Sequence, residues 1–160
     1  MKKMLHDALP DYKHGDVTKI NEDYLTFTVV RNPFDRFVSN YHMITTTPHR
    51  IQNILKPMFG KPKLTFEEFV EQFDKKTNHH WLPMDDFLPE KELGFVFRFE
   101  HLKEDIAKFK KETGIELKHI HKNKCRQPKP NYKDFFTKPE WIEKVKNYYK
   151  KDLERFGYEY

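Results

Sequence analysis

The residues best suited to chemistry stand together in "RNPFDRFVSNY", residues 31–41. Arg31 directly follows an apolar run, "YLTFTVV" (residues 24–30), and Ser39 comes one to two helical turns after Asn32. A guanidinium carries a permanent charge and paired N–H donors, and a serine hydroxyl adds a further donor, so the two together suit a phosphate. Three elements must place them. The β-branched and aromatic run reads as a strand. Asn32 is a strong N-cap type, Pro33 suits the first helical position, and Asp35 falls at the third, a variant of the capping box. The spacing then predicts helix from Pro33 to Thr45. Advancing about 100° per residue gathers Phe34, Phe37, Val38, Tyr41 and Ile44 on a core-facing side, and Asn32, Asp35, Arg36, Ser39 and Met43 on the other. Arg31 thus closes the carboxyl end of a strand, where open α/β sheets take their ligands. The same spacing equally admits an Arg31–Asp35 ion pair, with Ser39 a small solvated residue.

The rest of the chain supplies the frame. "TTTPHRIQNILKPMFGKPK" (residues 45–63) holds Pro48, Pro57, Gly60 and Pro62 and reads as a loop with room for one short helix. "LTFEEFVEQFDKK" has an N-cap at Thr65, acids in its first turn and lysines at its end, the pattern of an amphipathic helix. "GFVFRFEHL" (residues 94–102) alternates Phe95, Phe97 and Phe99 against Val96 and Arg98 and predicts a second strand. "EDIAKFKKETG" predicts a helix closed by Gly114. Residues 118–136 show no period. "KPEWIEKVKNYYKKDLERFGY" predicts one long helix with Trp141, Val145, Tyr148, Tyr149 and Leu153 along one side. Strands alternating with helices indicate an α/β domain with a mostly parallel sheet, and 160 residues suit a single domain, 1–160.

Composition narrows the function classes. Aromatic residues make up 16% of the chain, which excludes a disordered chain. No apolar stretch approaches the roughly 20 residues of a membrane span, and the N-terminus lacks the apolar centre of a signal peptide. The single Cys125 excludes an internal disulfide framework and a cysteine-rich zinc site, and fits a reducing, cytoplasmic location. His79-His80 and His119-x-His121 lack the companion ligands of a metal site, so no metal is expected. A formal net charge of +5 favours anionic partners, although a solvated basic surface gives the same number.

At the Arg31 segment the sequence resembles the 3′-phosphate-binding motif of sulfotransferases, R-(D/N)-P-x-x-R-x-x-S-x-Y, as found in carbohydrate and related bacterial members. Arg31, Asn32, Pro33, Arg36, Ser39 and Tyr41 match it. "FVFRFEHLKEDIAKF" is similar to the family's strand ending in F/Y-E before an acidic helix, and "YKKDLERFGY" to its closing Y-x-x-D-x-x-x-F-G-Y signature. The resemblance runs in ordered pieces from residue 24 to the C-terminus. It implies a P-loop-NTPase-like three-layer α/β fold and transfer of sulfonate from 3′-phosphoadenosine-5′-phosphosulfate (PAPS) to a hydroxyl acceptor, with a carbohydrate expected. It also implies that Arg31 and Ser39 hold the 3′-phosphate. Arg36 matches too, with an ion pair to Asp35 or to a C-terminal acid as its alternative use.

The family also carries an upstream phosphosulfate-binding loop whose backbone donors and lysine hold the transferring group. No P-K-x-G-(T/S)-(T/S) run precedes Arg31 and "GKPKLT" (residues 60–65) lacks the Ser/Thr pair. The expectation is therefore a sulfotransferase-like domain incomplete at the N-terminus, its first strand and phosphosulfate loop absent. Were it a fragment of a membrane-anchored eukaryotic enzyme, its compartment would be the Golgi lumen. A base to take the acceptor's proton is not assigned: His6, His14, Glu22 and Asp23 read as surface residues. The basic stretch 118–136 resembles in place the late loop that folds over the nucleotide, and Lys124 and Arg126 are its candidate cofactor-binding residues. "NHHWLPMDDF" could shape the acceptor pocket through His80 and Trp81, against Trp81 as plain core. Two other classes remain beside the main reading: a nucleotide-binding module without catalysis and, ranked after it, a basic nucleic-acid-binding domain.

Overall fold

The computed structural model describes residues 25–117 and 130–160. These divide into two compact units. One comprises the described residues of Met1–Arg31 and Phe87–Lys129, the other Asn32–Asp86 and Pro130–Tyr160.

The first unit is α/β. Strand β1 (Phe27–Val30) pairs in parallel with β2 (Phe95–Arg98), in the register Phe27 to Phe95 and Val30 to Arg98. In β2, Phe95 and Phe97 are buried while Val96 and Arg98 are partly exposed, as the alternation predicts. Phe99 departs from that reading. The strand stops at Arg98, and Phe99 begins a single tight helical turn, Phe99–His101, with its ring 44% exposed. Helix α3 (Leu102–Thr113) follows the turn, and it presents Ile106 and Phe109 to Phe95, Phe97 and Leu117. It ends where Gly114 takes a left-handed φ of 73°, its N–H donating to Lys110 O at 2.9 Å. That conformation costs glycine nothing.

The second unit is helical around an aromatic core. Helix α1 (Pro33–Thr46) starts where predicted: the Asn32 side chain accepts from the N–H groups of Phe34 (2.9 Å) and Asp35 (3.4 Å). Phe34, Phe37, Val38 and Ile44 are buried. Asp35 is buried as well, although the helical wheel places it on the polar side. Its position in the first turn, beside the positive end of the helix dipole, favours a carboxylate there. Residues 45–63 are more regular than a loop. Helical turns run continuously through Pro48–Arg50, Ile51–Leu55 and Lys56–Phe59. The middle one is a π-turn, with the Lys56 N–H reaching back to Ile51 O. This wider turn ends two residues before Pro57, whose ring would clash with an α-helical carbonyl four residues back.

Helix α2 (Phe66–Gln72) carries the full capping box: Glu68 N–H donates to Thr65 Oγ1 at 3.2 Å, and Thr65 N–H to Glu68 Oε2 at 2.9 Å. The predicted long C-terminal helix is two, α4 (Pro139–Tyr148) and α5 (Lys150–Phe156), separated at Tyr149 with φ −99° and ψ 21°. Its apolar side is as expected: Val145 and Tyr149 are buried, with Trp141, Tyr148 and Leu153 packed against the same cluster. Tyr132–Phe135 form a short turn capped by Asn131, and Phe136 is buried in the core. The end of the expected loop 118–136 is therefore anchored, while residues 118–129 lie outside the described residues.

Candidate functional site

In the first unit the site candidate is Arg31. It follows the last residue of β1 and is half-buried, with its guanidinium carbon 4.7 Å from the centroid of the Phe99 ring. A parallel pair sends both chains out of the sheet at the same edge, so the residues after Val30 and Arg98 are neighbours there. The turn carrying Phe99 is held from below: the Arg98 N–H donates to Asp105 Oδ2, 2.6 Å away in the first turn of α3.

In the second unit α1 presents Ser39 partly exposed. The first-turn amides of α1 are engaged by the Asn32 carboxamide, whose own Nδ2 donates to Glu159 O at 2.9 Å. A phosphate near this helix would therefore be held by side chains rather than by free helix amides. Arg31 belongs to one unit and Ser39 to the other, joined by the continuous chain. Lys124, Arg126, Cys125 and His119-x-His121 lie outside the described residues, as do His6, His14, Glu22 and Asp23.

Arg36 has a structural use that its sequence position does not reveal. Its guanidinium donates to Leu82 O at 2.8 Å and to His80 O at 3.0 Å. Asn40, one turn on, donates to the same His80 oxygen at 2.6 Å. Two C-terminal residues complete the arrangement. The buried Tyr149 hydroxyl donates to Trp81 O at 2.6 Å, and the buried Asp152 carboxylate accepts from the N–H groups of Met84 and Asp85, both at 2.8 Å. Five backbone groups between His80 and Asp85 are thus held by four side chains. Tyr149 and Asp152 are the tyrosine and aspartate of the closing Y-x-x-D pattern, so that signature acts here as a backbone clamp. Burial pushes the Asp152 carboxyl above its ordinary range, opposed by the two amides and by the Arg36 charge.

The side chains of this segment divide in use. Trp81 is core: it is fully buried and its indole N–H donates to Lys76 O (2.8 Å) and Phe73 O (3.1 Å). His80 is partly exposed, and its Nε2 lies 3.0 Å from Arg50 Nη1. Arginine can only donate, so Nε2 accepts and the ring is neutral. Burial, then the charges of His79, Arg50 and Arg36, lower its pKa to about 4. With that lone pair engaged, Nε2 of His80 is unsuited to take an acceptor's proton at neutral pH. Among the described residues no group of three or more His, Cys, Asp or Glu side chains is placed to hold a metal ion, and no helix is long and apolar enough to cross a membrane.

Comparison with known proteins was made on the whole chain. The family model described as "Sulfotransferase family" matches residues 2–159. A protein of Acidianus two-tailed virus, described as uncharacterized protein ORF167, is 29% identical over 159 residues, covering 92% of this chain and 89% of that protein. No solved structure matches at comparable significance.

Proposed function

The chain belongs to the sulfotransferase family, and from that premise we propose that it moves sulfonate from PAPS to a hydroxyl, with a carbohydrate as acceptor. PAPS brings the activated sulfuryl group. In the transfer the acceptor oxygen forms a bond to sulfur, the bond from sulfur to the 5′-phosphate oxygen breaks, and the acceptor's proton leaves to a base. This chain's own contribution is to grip the nucleotide: Arg31 supplies charge and paired donors to the 3′-phosphate, and Ser39 adds a hydroxyl. Lys124 and Arg126 contribute further positive charge over the nucleotide. In this reading residues 1–160 act as one sulfotransferase-like domain of the P-loop-type three-layer architecture.

The observation that carries the reading is the strand–cap–helix itself. Arg31 stands at the carboxyl end of a parallel strand, and the Asn32-capped helix that begins at once bears Ser39. Both side chains are at least partly exposed, as ligand-binding groups must be. A second reading, nucleotide binding without turnover, keeps its place because these 160 residues contain no P-K-x-G-(T/S)-(T/S) run.

Calorimetry with adenosine 3′,5′-bisphosphate tests the first reading. The wild type is expected to bind, and Arg31→Ala and Ser39→Ala each to weaken binding by about tenfold, the loss of a charge-assisted hydrogen bond. Unchanged affinity in both variants overturns the phosphate site. Binding without transfer of labelled sulfonate to any glycan in a hydroxyl-bearing panel favours the non-catalytic reading. Affinity for RNA or DNA that falls steeply with salt, and is indifferent to Arg31, would replace both. Protease cleavage within residues 118–129 is expected to slow when the nucleotide is bound; equal rates remove Lys124 and Arg126 from the site.

A further inference from the structure

Phe99 is an anomaly of the first unit. Large aromatic rings are buried where a core can take them, yet this one is 44% exposed and stands outside the apolar cluster of Phe95, Phe97, Ile106, Phe109 and Leu117. The alternation of β2 would have carried it into that cluster had the strand continued by one residue. Instead the strand stops at Arg98, whose N–H is taken by Asp105 Oδ2 at 2.6 Å, and the chain turns. The turn leaves the Phe99 ring beneath the Arg31 guanidinium, 4.7 Å from carbon to centroid. Val30 and Arg98 are the last paired residues of a parallel register, so Arg31 and Phe99 leave the sheet side by side.

From this arrangement we propose that Phe99 is a positioning residue for Arg31: its ring fixes the guanidinium by a cation–π contact, ready to grip the nucleotide's 3′-phosphate. The proposal rests on the reading that Arg31 binds that phosphate. An arginine side chain at a sheet edge has many rotamers, and ordering it on binding weakens affinity. A ring centred 4.7 Å from the guanidinium carbon restricts that freedom in advance. The tie from Asp105 to the Arg98 amide fixes the turn, and the turn fixes the ring. Because the ring is largely outside the core, its effect is expected on binding and not on folding.

The test is calorimetry of the full chain with adenosine 3′,5′-bisphosphate in a double-mutant cycle, with thermal melting alongside. Phe99→Leu is expected to weaken binding by about three- to fivefold, the size of an exposed cation–π contact. Phe99→Tyr, which keeps a ring, is expected to bind as the wild type does. In the Arg31→Ala background Phe99→Leu should cost nothing further. If Arg31→Ala loses affinity while Phe99→Leu does not, the positioning role is overturned and the phosphate site stands. An equal loss from Phe99→Leu with and without Arg31 also overturns it, because the ring would then act independently. If Arg31→Ala binds as the wild type does, the phosphate reading itself fails. Should Phe99→Leu lower the melting temperature, Phe99→Tyr decides: weakened binding with an unchanged melt overturns the proposal, and retained binding supports it.

Discussion

The two units differ in how many polar side chains they turn onto their own backbone. In the first, a small core of three phenylalanines, an isoleucine and a leucine underlies a two-stranded parallel sheet, and the arginine of interest stands at the sheet's edge over an exposed ring. In the second, the aromatic core is far larger and polar side chains are turned inward: Arg36, Asn40, Tyr149 and Asp152 hold the backbone of residues 80–85. A buried polar group without a partner is costly, so the inward set is bound to stability. Arg31, by contrast, is half-buried at the end of its strand, with its guanidinium against the ring of Phe99. Two arginines five residues apart in one motif, Arg31 and Arg36, thus meet different surroundings, an aromatic ring and a pair of backbone carbonyls.

The sharpest way to break this contrast is to remove the Asp152 carboxylate. Asp152→Ala leaves the Met84 and Asp85 amides without their acceptor and is expected to destabilise the protein by about 3 kcal/mol, read by denaturant unfolding. A loss below about 0.5 kcal/mol would show that the clamp is ornamental. Arg36→Met should follow, at about 2 kcal/mol, since it frees the carbonyls of Leu82 and His80. A smaller effect is expected from pH. The fold holds His80 neutral, with its pKa lowered from 6.5 to about 4. The stability this gives is present above pH 6.5 and is lost as pH falls through about 4, where protonation sets the ring against Arg50. His80→Gln, neutral throughout, should flatten that part of the stability–pH curve, and an unchanged slope would refute the assignment. Smallest of all, Arg31→Ala should lower stability by no more than about 1 kcal/mol, the size of an exposed cation–π contact, while weakening nucleotide binding. A large loss of stability there would erase the distinction between the units.

Local chemistry was legible in the sequence. The Asn32–Pro33 start of α1, the Thr65–Glu68 capping box and the Gly114 stop each depend on side chains within a few residues of the backbone they serve. So does the alternation that buries Phe95 and Phe97. The π-turn before Pro57 was less so, because proline signals a break in α-helical bonding without saying which wider turn will absorb it. Phe99 was read as one more strand residue, since nothing in "FVFRFEHL" shows that Asp105 will claim the Arg98 amide.

Sequence alone was thus enough to determine the capped strand–turn–helix that carries Arg31 and Ser39, and with it the family resemblance. Tertiary structure alone decided that Arg36 reaches carbonyls 44 and 46 residues away, and that Asp152 takes amides 67 and 68 residues away. The physical reason is that nearly every residue offers the same backbone donor and acceptor. A side chain's choice among them leaves no mark in the sequence, because it depends only on which segment the fold brings within reach.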